Sequence, residues 1–237
     1  MRRVDPSELT IWYNETEISN FLAQFDGASM VMTSRILYET GIRIGEALSL
    51  TISQFPTVDM ARRDPSRRRF QVTGKFGKTR WVPIEVDLLV AIEKFISFER
   101  KVYARRCKEP TELLLIAPKS DGTAAPLKAR AVQKAFVSAR SAAGYDALSP
   151  HILRHHFAAH YLLKAWRNRY GHAQAATPWV DTTVASSLLA PELLMLKEAL
   201  GHDDFDTTLK YLHAISFLMG SGLPQEYSSS IDQEDKE

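Results

Sequence analysis

Three stretches of the sequence collect cationic and proton-transferring side chains where helices begin or end: GIRIGEALSL (41–50), HILRHHFAAHYLL (151–163) and LGHDDFDTTLKYLH (200–213). In the first, Arg43 follows a glycine stop and opens a short helix, with Glu46 one turn on and able to pair with it. In the second, His151 and Arg154 are three apart and share a helical face. Both fall in the first turn and a half after a Ser149-Pro150 helix start, where the helix terminus itself favours an anion. In the third, His202 follows the Gly201 stop and Tyr211 lies nine residues beyond it. These are groups that hold an anion and move a proton.

Two metal readings compete with that chemistry. His151/His155 and His156/His160 are i, i+4 pairs, the spacing with which a helix binds zinc. No glutamate completes an HExxH arrangement, and Cys107 is the single cysteine, so no metal and no other cofactor is expected. Asp203, Asp204 and Asp206 invite comparison with a two-metal nuclease, but they lie between two helices, where acids cap the next N-terminus. Capping is the expectation.

The elements that must position these groups are read from periodicity and punctuation. A helix is predicted over 16–26, with Thr16 as N-cap and Ile18, Leu22 and Phe25 on one face. Another covers 28–39 and ends at Gly41 in a left-handed cap; a short third places Ile44, Ala47 and Leu48 inward. RFQVT (69–73) and RWVPI (80–84) predict two strands around the turn Gly74-Lys75-Phe76-Gly77-Lys78. Helices follow at 86–106, 127–142, 150–165, from Pro191 to Gly201, and over 206–219, with an apolar stretch at 113–117. The fold class is mainly α with a small antiparallel β-sheet (α+β), and no internal repeat is present.

Composition bounds the partners. The chain has 237 residues, 45% hydrophobic and 24% charged, enough for a core without disulfide or metal. No apolar run approaches a membrane span and the N-terminus lacks a signal-peptide pattern, so a soluble cytoplasmic protein with no membrane partner is expected. The net charge of +2 hides a basic block: Arg62, Arg63, Arg67, Arg68, Arg69, Lys75, Lys78 and Arg80, with Asp64 the only acid between Arg62 and Arg80. Such a block neutralises phosphates and makes binding salt-dependent, although a solvated loop has the same composition. The final residues reverse the sign with Glu226, Asp232, Glu234, Asp235 and Glu237, and 223–237 is expected to be a disordered acidic tail.

Taken together in order, the segments resemble the tyrosine recombinase (phage integrase) family. Thr40-Gly41-Ile42-Arg43-Ile44-Gly45-Glu46-Ala47-Leu48 is similar to its first box, TGLRxSEL. His151 to Leu163 and Leu200 to His213 are similar to its second, HxLRHTFAxHLL followed by LGHxxxxTTxxYxH. Gly74 to Ile84 is similar to its hairpin GKGxKxRxVPL. A lone HxxR or TTxxY is a weak signal, whereas the ordered set over about residues 16–219 is specific.

The resemblance implies the catalytic-domain fold of that family and a division of labour. Arg43 and Arg154 would hold the non-bridging oxygens of a DNA phosphate, and Tyr211 would attack it to leave a 3′-phosphotyrosyl enzyme and a 5′ hydroxyl. His151 would serve as base, His202 would donate a hydrogen bond to the phosphate, and Lys75 would protonate the leaving oxygen, with Lys78 as the substitute. Glu46 would orient Arg43, and His155 would be structural support. His156 stands where the family has threonine, and its role is open. Arg67, Arg68, Arg69, Lys78 and Arg80 are the expected DNA-binding residues. The implied partners are double-stranded DNA in the nucleoid and a homo-tetramer on it, the free domain being monomeric in one reading. The implied activity is site-specific recombination for a mobile element. The alternatives are a type IB topoisomerase-like relaxation and a non-catalytic DNA-binding protein on the same scaffold.

Two departures from the family pattern stand out. The stretch 165–190 is an insertion carrying Trp166, Arg167, Arg169, Tyr170 and Trp179, read as a contact with DNA or a neighbouring subunit or as a solvated loop, with protein contact slightly favoured; 55–69 is also long and basic, and expected on the DNA backbone. About fifteen residues precede the first helix, where the family carries an N-terminal DNA-clamping domain. The expected organisation is a lead-in over 1–15, a catalytic domain over 16–222 and the tail, with weak DNA binding by the domain alone.

Overall fold

The computed structural model describes residues 13–74, 77–174 and 186–212, for 170–174 the backbone only. Helices α1 (Glu15–Leu22), α2 (Ala28–Thr40), α3 (Ile44–Leu48) and α4 (Val58–Arg63) precede a hairpin of β1 (Arg69–Thr73) and β2 (Thr79–Pro83). Helix α5 (Val86–Phe95) runs through a π turn at Ile96–Arg100 into α6 (Lys101–Ala104). A second hairpin, β3 (Ile116–Pro118) and β4 (Ala124–Pro126), leads to α7 (Ala129–Ala143), α8 (Pro150–Gln174) and α9 (Ala190–Leu200). A further helix begins at 206 and runs through the last described residues. The mainly helical α+β class expected from the sequence is therefore observed, with two small antiparallel sheets among the described residues instead of one.

Local chemistry sets the element ends. Helix α1 begins earlier than its periodicity predicts, because Asn14 and not Thr16 caps it: the Asn14 side chain accepts the Glu17 N–H while Glu17 accepts that of Asn14. Ile18 and Phe21 are its buried face, Leu22 is half-buried, and Phe25 packs just beyond its end. Helix α2 stops at Gly41, whose φ of 64° only glycine adopts without strain. In the first hairpin Phe70 pairs with Val82 and Val72 with Arg80, so the alternation puts Phe70, Val72 and Val82 into the core and aims Arg80 the same way. The stretch expected as a long basic segment is ordered by burial of Val58 and Ala61 on α4.

Helix α8 is longer than the sequence indicated, running to Gln174 and absorbing the first third of the expected insertion. Trp166 is buried in the core, and Arg169 ties α8 to α9 through Glu192 at 2.6 Å and the Leu188 carbonyl. Trp179, the acidic tail and the expected helix beyond 212 lie outside the described residues.

Buried apolar side chains form two clusters. The larger joins α1, α2, α4, α5, α7 and the first hairpin, and takes Leu153 from the start of α8. The smaller holds Ala158, Leu162, Leu163 and Trp166 from α8, Leu193, Leu196 and Leu200 from α9, and Tyr211 and Leu212. Helix α8 thus spans both, and residues 151–155 sit at the seam. Among the described residues no helix is long and apolar enough to cross a membrane.

At Gly41 the close approach of Phe157 adds to the backbone constraint, since an added methyl would stand 2.9 Å from the ring Cγ. Gly144 has the same left-handed backbone (φ 77°) but open space around it. Gly41→Ala is expected to lower unfolding free energy by about 3 kcal/mol or more and Gly144→Ala by about 1 kcal/mol. Urea unfolding of the two variants reads the difference; equal losses would refute the packing argument.

Candidate active site

The carboxylate of Glu46 is buried, and two arginines share it. Arg80 reaches it with both terminal nitrogens, at 2.8 and 2.7 Å. Arg43 reaches it at 3.3 Å and also donates its backbone N–H at 2.8 Å, which closes the N-terminus of α3. Burial acts to raise the Glu46 carboxyl, but the hydrogen bonds from Arg80 and Arg43 and their charges outweigh it and hold the group below its ordinary value. Glu46 thus contacts Arg43, and its tighter partner is Arg80.

That pairing corrects the expectation for Arg80. Its guanidinium, 11% exposed, is spent on Glu46 and on the Ala199 carbonyl at 2.8 Å, so it brackets the hairpin to the end of α9 and does not face outward to DNA. Gly201 leaves the room: a side chain there would meet Arg80 Cδ at 3.2 Å. The signal was in the strand alternation, which places Arg80 on the face of Val72 and Val82. Arg68 is likewise half-inward, donating to the Ala61 carbonyl at 3.0 Å. Arg67 and Arg69 are exposed, Arg67 beside Asp64 and Arg69 over the Trp81 ring at 4.8 Å. Lys78 is exposed and meets Asp203 at 3.3 Å, reaching from the hairpin to the loop that bears His202. Lys75 lies outside the described residues.

Arg154 is buried at the seam, donating to the Gly41 carbonyl at 2.7 Å and to the Leu200 carbonyl. These carbonyls end α2 and α9, so Arg154 ties the two helix stops together and stands where helix C-termini favour a cation. Burial pushes its guanidinium down to about 10, and the Arg43 charge adds to this; it stays cationic at neutrality. Arg43 is half-exposed.

Around this pair stand His151, His155, His202 and Tyr211. His155 Nδ1 lies 2.9 Å from the Tyr211 hydroxyl, and the His151 ring meets His155 edge-on at 4.2 Å. His202 stacks on Tyr211 with centroids 6.1 Å apart, and its Nδ1 is 3.0 Å from the buried Thr208 hydroxyl. Burial lowers all three histidines: His155 to about 4, aided by His151 and Arg154, and His202 to about 4, aided by Arg154, Arg43 and Arg80. Burial raises the Tyr211 phenol, against the pull of Arg154. Near neutral pH the site therefore presents neutral imidazoles and a neutral phenol beside arginine guanidiniums. An anion bound between Arg43 and Arg154 would raise the histidines again.

Five of the six expected site residues thus converge, from α3, α8, the loop after α9 and the last helix. His155 was read as structural support; its direct contact with the phenol was missed, since only the fold brings residue 211 to it. His156 is buried and accepts the Tyr13 N–H at 3.1 Å, tying the lead-in to α8. Asp204 accepts the Asp206 N–H at 3.1 Å in a turn just ahead of the helix that begins at 206, whose N-cap position is taken by Phe205, while Asp203 pairs with Lys78. Among the described residues no three His, Cys, Asp or Glu side chains gather as metal ligands.

The profile of the Phage integrase family matches residues 12–177. A protein named Tyrosine recombinase XerC from Methylobacterium sp. (strain 4-46) is 34% identical over 160 residues, covering 65% of this chain and 45% of its own length. One named Tyrosine recombinase XerD from Rickettsia conorii is 30% identical over 179 residues, covering 71% and 56%. The chain thus spans about half the length of the curated relatives it matches. Among solved structures, XerH bound to palindromic difH substrate superposes with a TM-score of 0.59 at 20% identity, over 93% of this chain and 54% of that one. The XerA recombinase gives 0.56 at 19%, over 89% and 63%. At these identities the likeness is one of fold.

Arg80→Ala should cost about 3–5 kcal/mol by stranding a buried carboxylate, against at most about 1 kcal/mol for Arg67→Ala at its exposed pair; urea unfolding separates the two. The histidines set a pH dependence. Unfolded imidazoles titrate at 6.5, while His155 and His202 are held at about 4 and His156 at about 3. Between these values the unfolded chain binds more protons, so their contribution is complete above 6.5 and is lost as the pH falls toward 4. Unfolding midpoints should fall across that window, and less steeply in His156→Thr. A flat profile to pH 4.5 would contradict the burial of neutral histidines.

Proposed function

The chain belongs to the phage integrase family, and we propose that it is a site-specific DNA recombinase that cuts and rejoins strands through a covalent bond between Tyr211 and a 3′ phosphate. The observation that carries this reading is the convergence of Tyr211 with Arg154 and with two neutral histidines, His155 and His202. A phenol is a poor nucleophile until a base or a cationic field acts on it, and this site supplies both.

In the proposed reaction Arg43 and Arg154 hold the two non-bridging oxygens of one phosphate. Arg154 keeps the N–H groups not aimed at Gly41 and Leu200, and half-exposed Arg43 reaches in from the other side. With Nδ1 of His202 accepting from Thr208, its Nε2–H is left to donate to the phosphate. His151 takes the phenolic proton as Tyr211 oxygen bonds to phosphorus, the bond to the 5′ oxygen breaks, and Lys75 protonates that oxygen. The phosphotyrosyl bond conserves the linkage, so a 5′ hydroxyl from another strand reverses the step without ATP or metal. Arg62, Arg63, Arg67, Arg69 and Lys78 supply the surface for the duplex backbone, in place of Arg80.

The proposal extends to organisation. Residues 16–222 form the catalytic domain, working in the cytoplasm on nucleoid DNA as a tetramer across two duplexes. The solved relative XerH, captured on difH DNA, supports a duplex as partner. A mobile-element role belongs to the same proposal.

The test is a pool of duplex oligonucleotides with randomised flanks, each nicked one or two bases from a candidate cleavage point so that the short 5′-hydroxyl product diffuses away. The expected result is an SDS-resistant protein–DNA adduct, formed in EDTA and absent from Tyr211→Phe. Arg43→Ala and Arg154→Ala should each lower its rate by at least about 100-fold. DNA binding without an adduct would overturn the enzyme reading, and plasmid relaxation without strand exchange would favour a topoisomerase. Recovered targets at the ends of an element support the mobile role, and a single locus free of such ends opposes it.

A further inference from the structure

The proposed chemistry uses His151 as base, yet the group the structure puts on the nucleophile is another histidine. We propose that His155 is a positioning residue for Tyr211: in the DNA-free protein its Nδ1 accepts the phenolic proton in a hydrogen bond and holds the hydroxyl beside Arg154 until a phosphate arrives. The inference rests on the reading of Tyr211 as nucleophile and adds to it the group that fixes where the nucleophile waits.

Geometry argues for this role. The Oη–Nδ1 separation is 2.9 Å, and Tyr211 is 5% exposed, so the hydroxyl has little access to water. A buried hydroxyl that loses its partner is left with an uncompensated polar atom. The partner comes from a different element: His155 lies on α8 beside Arg154, at the seam between the two apolar clusters, whereas Tyr211 belongs to the smaller cluster. The bond therefore spans the two parts of the site that must stay in register. His151 backs the His155 ring edge-on at 4.2 Å, and His202 covers the other side of the phenol at 6.1 Å, so neither ring turns freely.

Charge supports the direction of the bond. His155 is held at about 4 by burial and then by the charges of His151 and Arg154, so near neutrality it is a neutral imidazole with one lone-pair nitrogen. The phenol is raised above its ordinary value and keeps its proton. A neutral phenol beside a neutral imidazole donates, which fixes the His155 tautomer as Nε2–H. A side chain so depressed is a weak resting base, and the proton stays on oxygen. His155 thus keeps the nucleophile placed and protonated, while His151, exposed at the mouth of the site, is free to act when the phosphate enters. The sequence alone does not separate the two histidines, since they stand one turn apart on the same face.

Two measurements test it. In protein labelled with 15N-histidine, the His155 resonance, identified by its loss in His155→Asn, is expected to show the Nε2–H tautomer with an accepting Nδ1, and to shift downfield at Nδ1 in Tyr211→Phe. A protonated Nδ1, or a resonance indifferent to Tyr211→Phe, overturns the proposal, and this needs no DNA and no destabilising variant. On nicked duplexes recovered from the randomised pool, His155→Leu should form the adduct about 10- to 100-fold more slowly with an unchanged DNA dissociation constant. His155→Asn, whose Oδ1 stands near the place of Nδ1, should restore the rate to within about threefold of wild type. Wild-type cleavage by His155→Leu, or failure of asparagine to rescue, overturns the role of His155 and leaves Tyr211 as nucleophile intact. Absence of an adduct from the wild-type chain instead strikes at the recombinase reading, and the resonance data then still decide the contact.

Discussion

The site is governed by an imbalance of buried charge. Arg154 and Arg80 are sunk in the protein and Arg43 is half-exposed beside them, while the one carboxylate among them, Glu46, is shared by Arg80 and Arg43. Cations are tolerated in such a place only when their N–H groups are satisfied: both terminal nitrogens of Arg80 go to Glu46 and its Nε to the Ala199 carbonyl, while Arg154 is satisfied by backbone carbonyls, those of Gly41 and Leu200. A carbonyl satisfies a donor without cancelling its charge. The neighbourhood is therefore left with unspent positive potential, preorganised before any anion arrives, which is the arrangement that stabilises charge developing on a phosphate.

The same imbalance sets the state of the neutral groups. Burial lowers His151, His155 and His202, and the arginines lower them further, so near neutral pH each is a hydrogen-bonding imidazole and not another cation. The phenol feels burial and Arg154 in opposite directions, and burial prevails while the site is empty. Bringing in a phosphate reverses the field on the histidines. On the proposed function, a phenol that keeps its proton until a phosphate binds is protected from reacting with the wrong partner.

How much of this was legible in the sequence depends on the distance over which each feature is decided. Gly41 and Gly201 as helix stops, Pro150 as a helix start and the two strands of the hairpin are local matters of backbone freedom and alternation, and all were readable. The resemblance placed Arg43, His151, Arg154, His202 and Tyr211, and they converge. Arg80 was misread because a basic run was taken as a unit, although the period of two already put this residue on the face of Val82. The second hairpin was missed since strands of three residues carry almost no periodicity. The contact of His155 with Tyr211 spans 56 positions, and no local pattern encodes it. The continuation of α8 to Gln174 depends on Trp166 finding a place in the second cluster, a tertiary decision that overrides the weak helix signal after residue 165.

Helix α8 links these observations. Its first turns give Leu153 to the larger cluster, and its middle gives Ala158, Leu162 and Trp166 to the smaller, so the residues between are fixed by packing on both sides. Arg154 and His155 are among those residues, and His151 stands one turn before His155. Arg154 then reaches back to the end of α2 and forward to the end of α9, and His155 reaches to Tyr211, so each cluster is held to the other through polar groups that also face the site. Tyr211 in the smaller cluster is thus placed relative to Arg43 in the larger one through α8, and the Arg80 bracket from the hairpin to the end of α9 ties the two clusters a second time. A relative movement of the clusters would disturb Arg154 and His155, and a phosphate bound at Arg43 and Arg154, as proposed, would in turn help to hold them in one arrangement. On the proposed reading of Tyr211 as nucleophile, anion binding and placement of that nucleophile are therefore coupled.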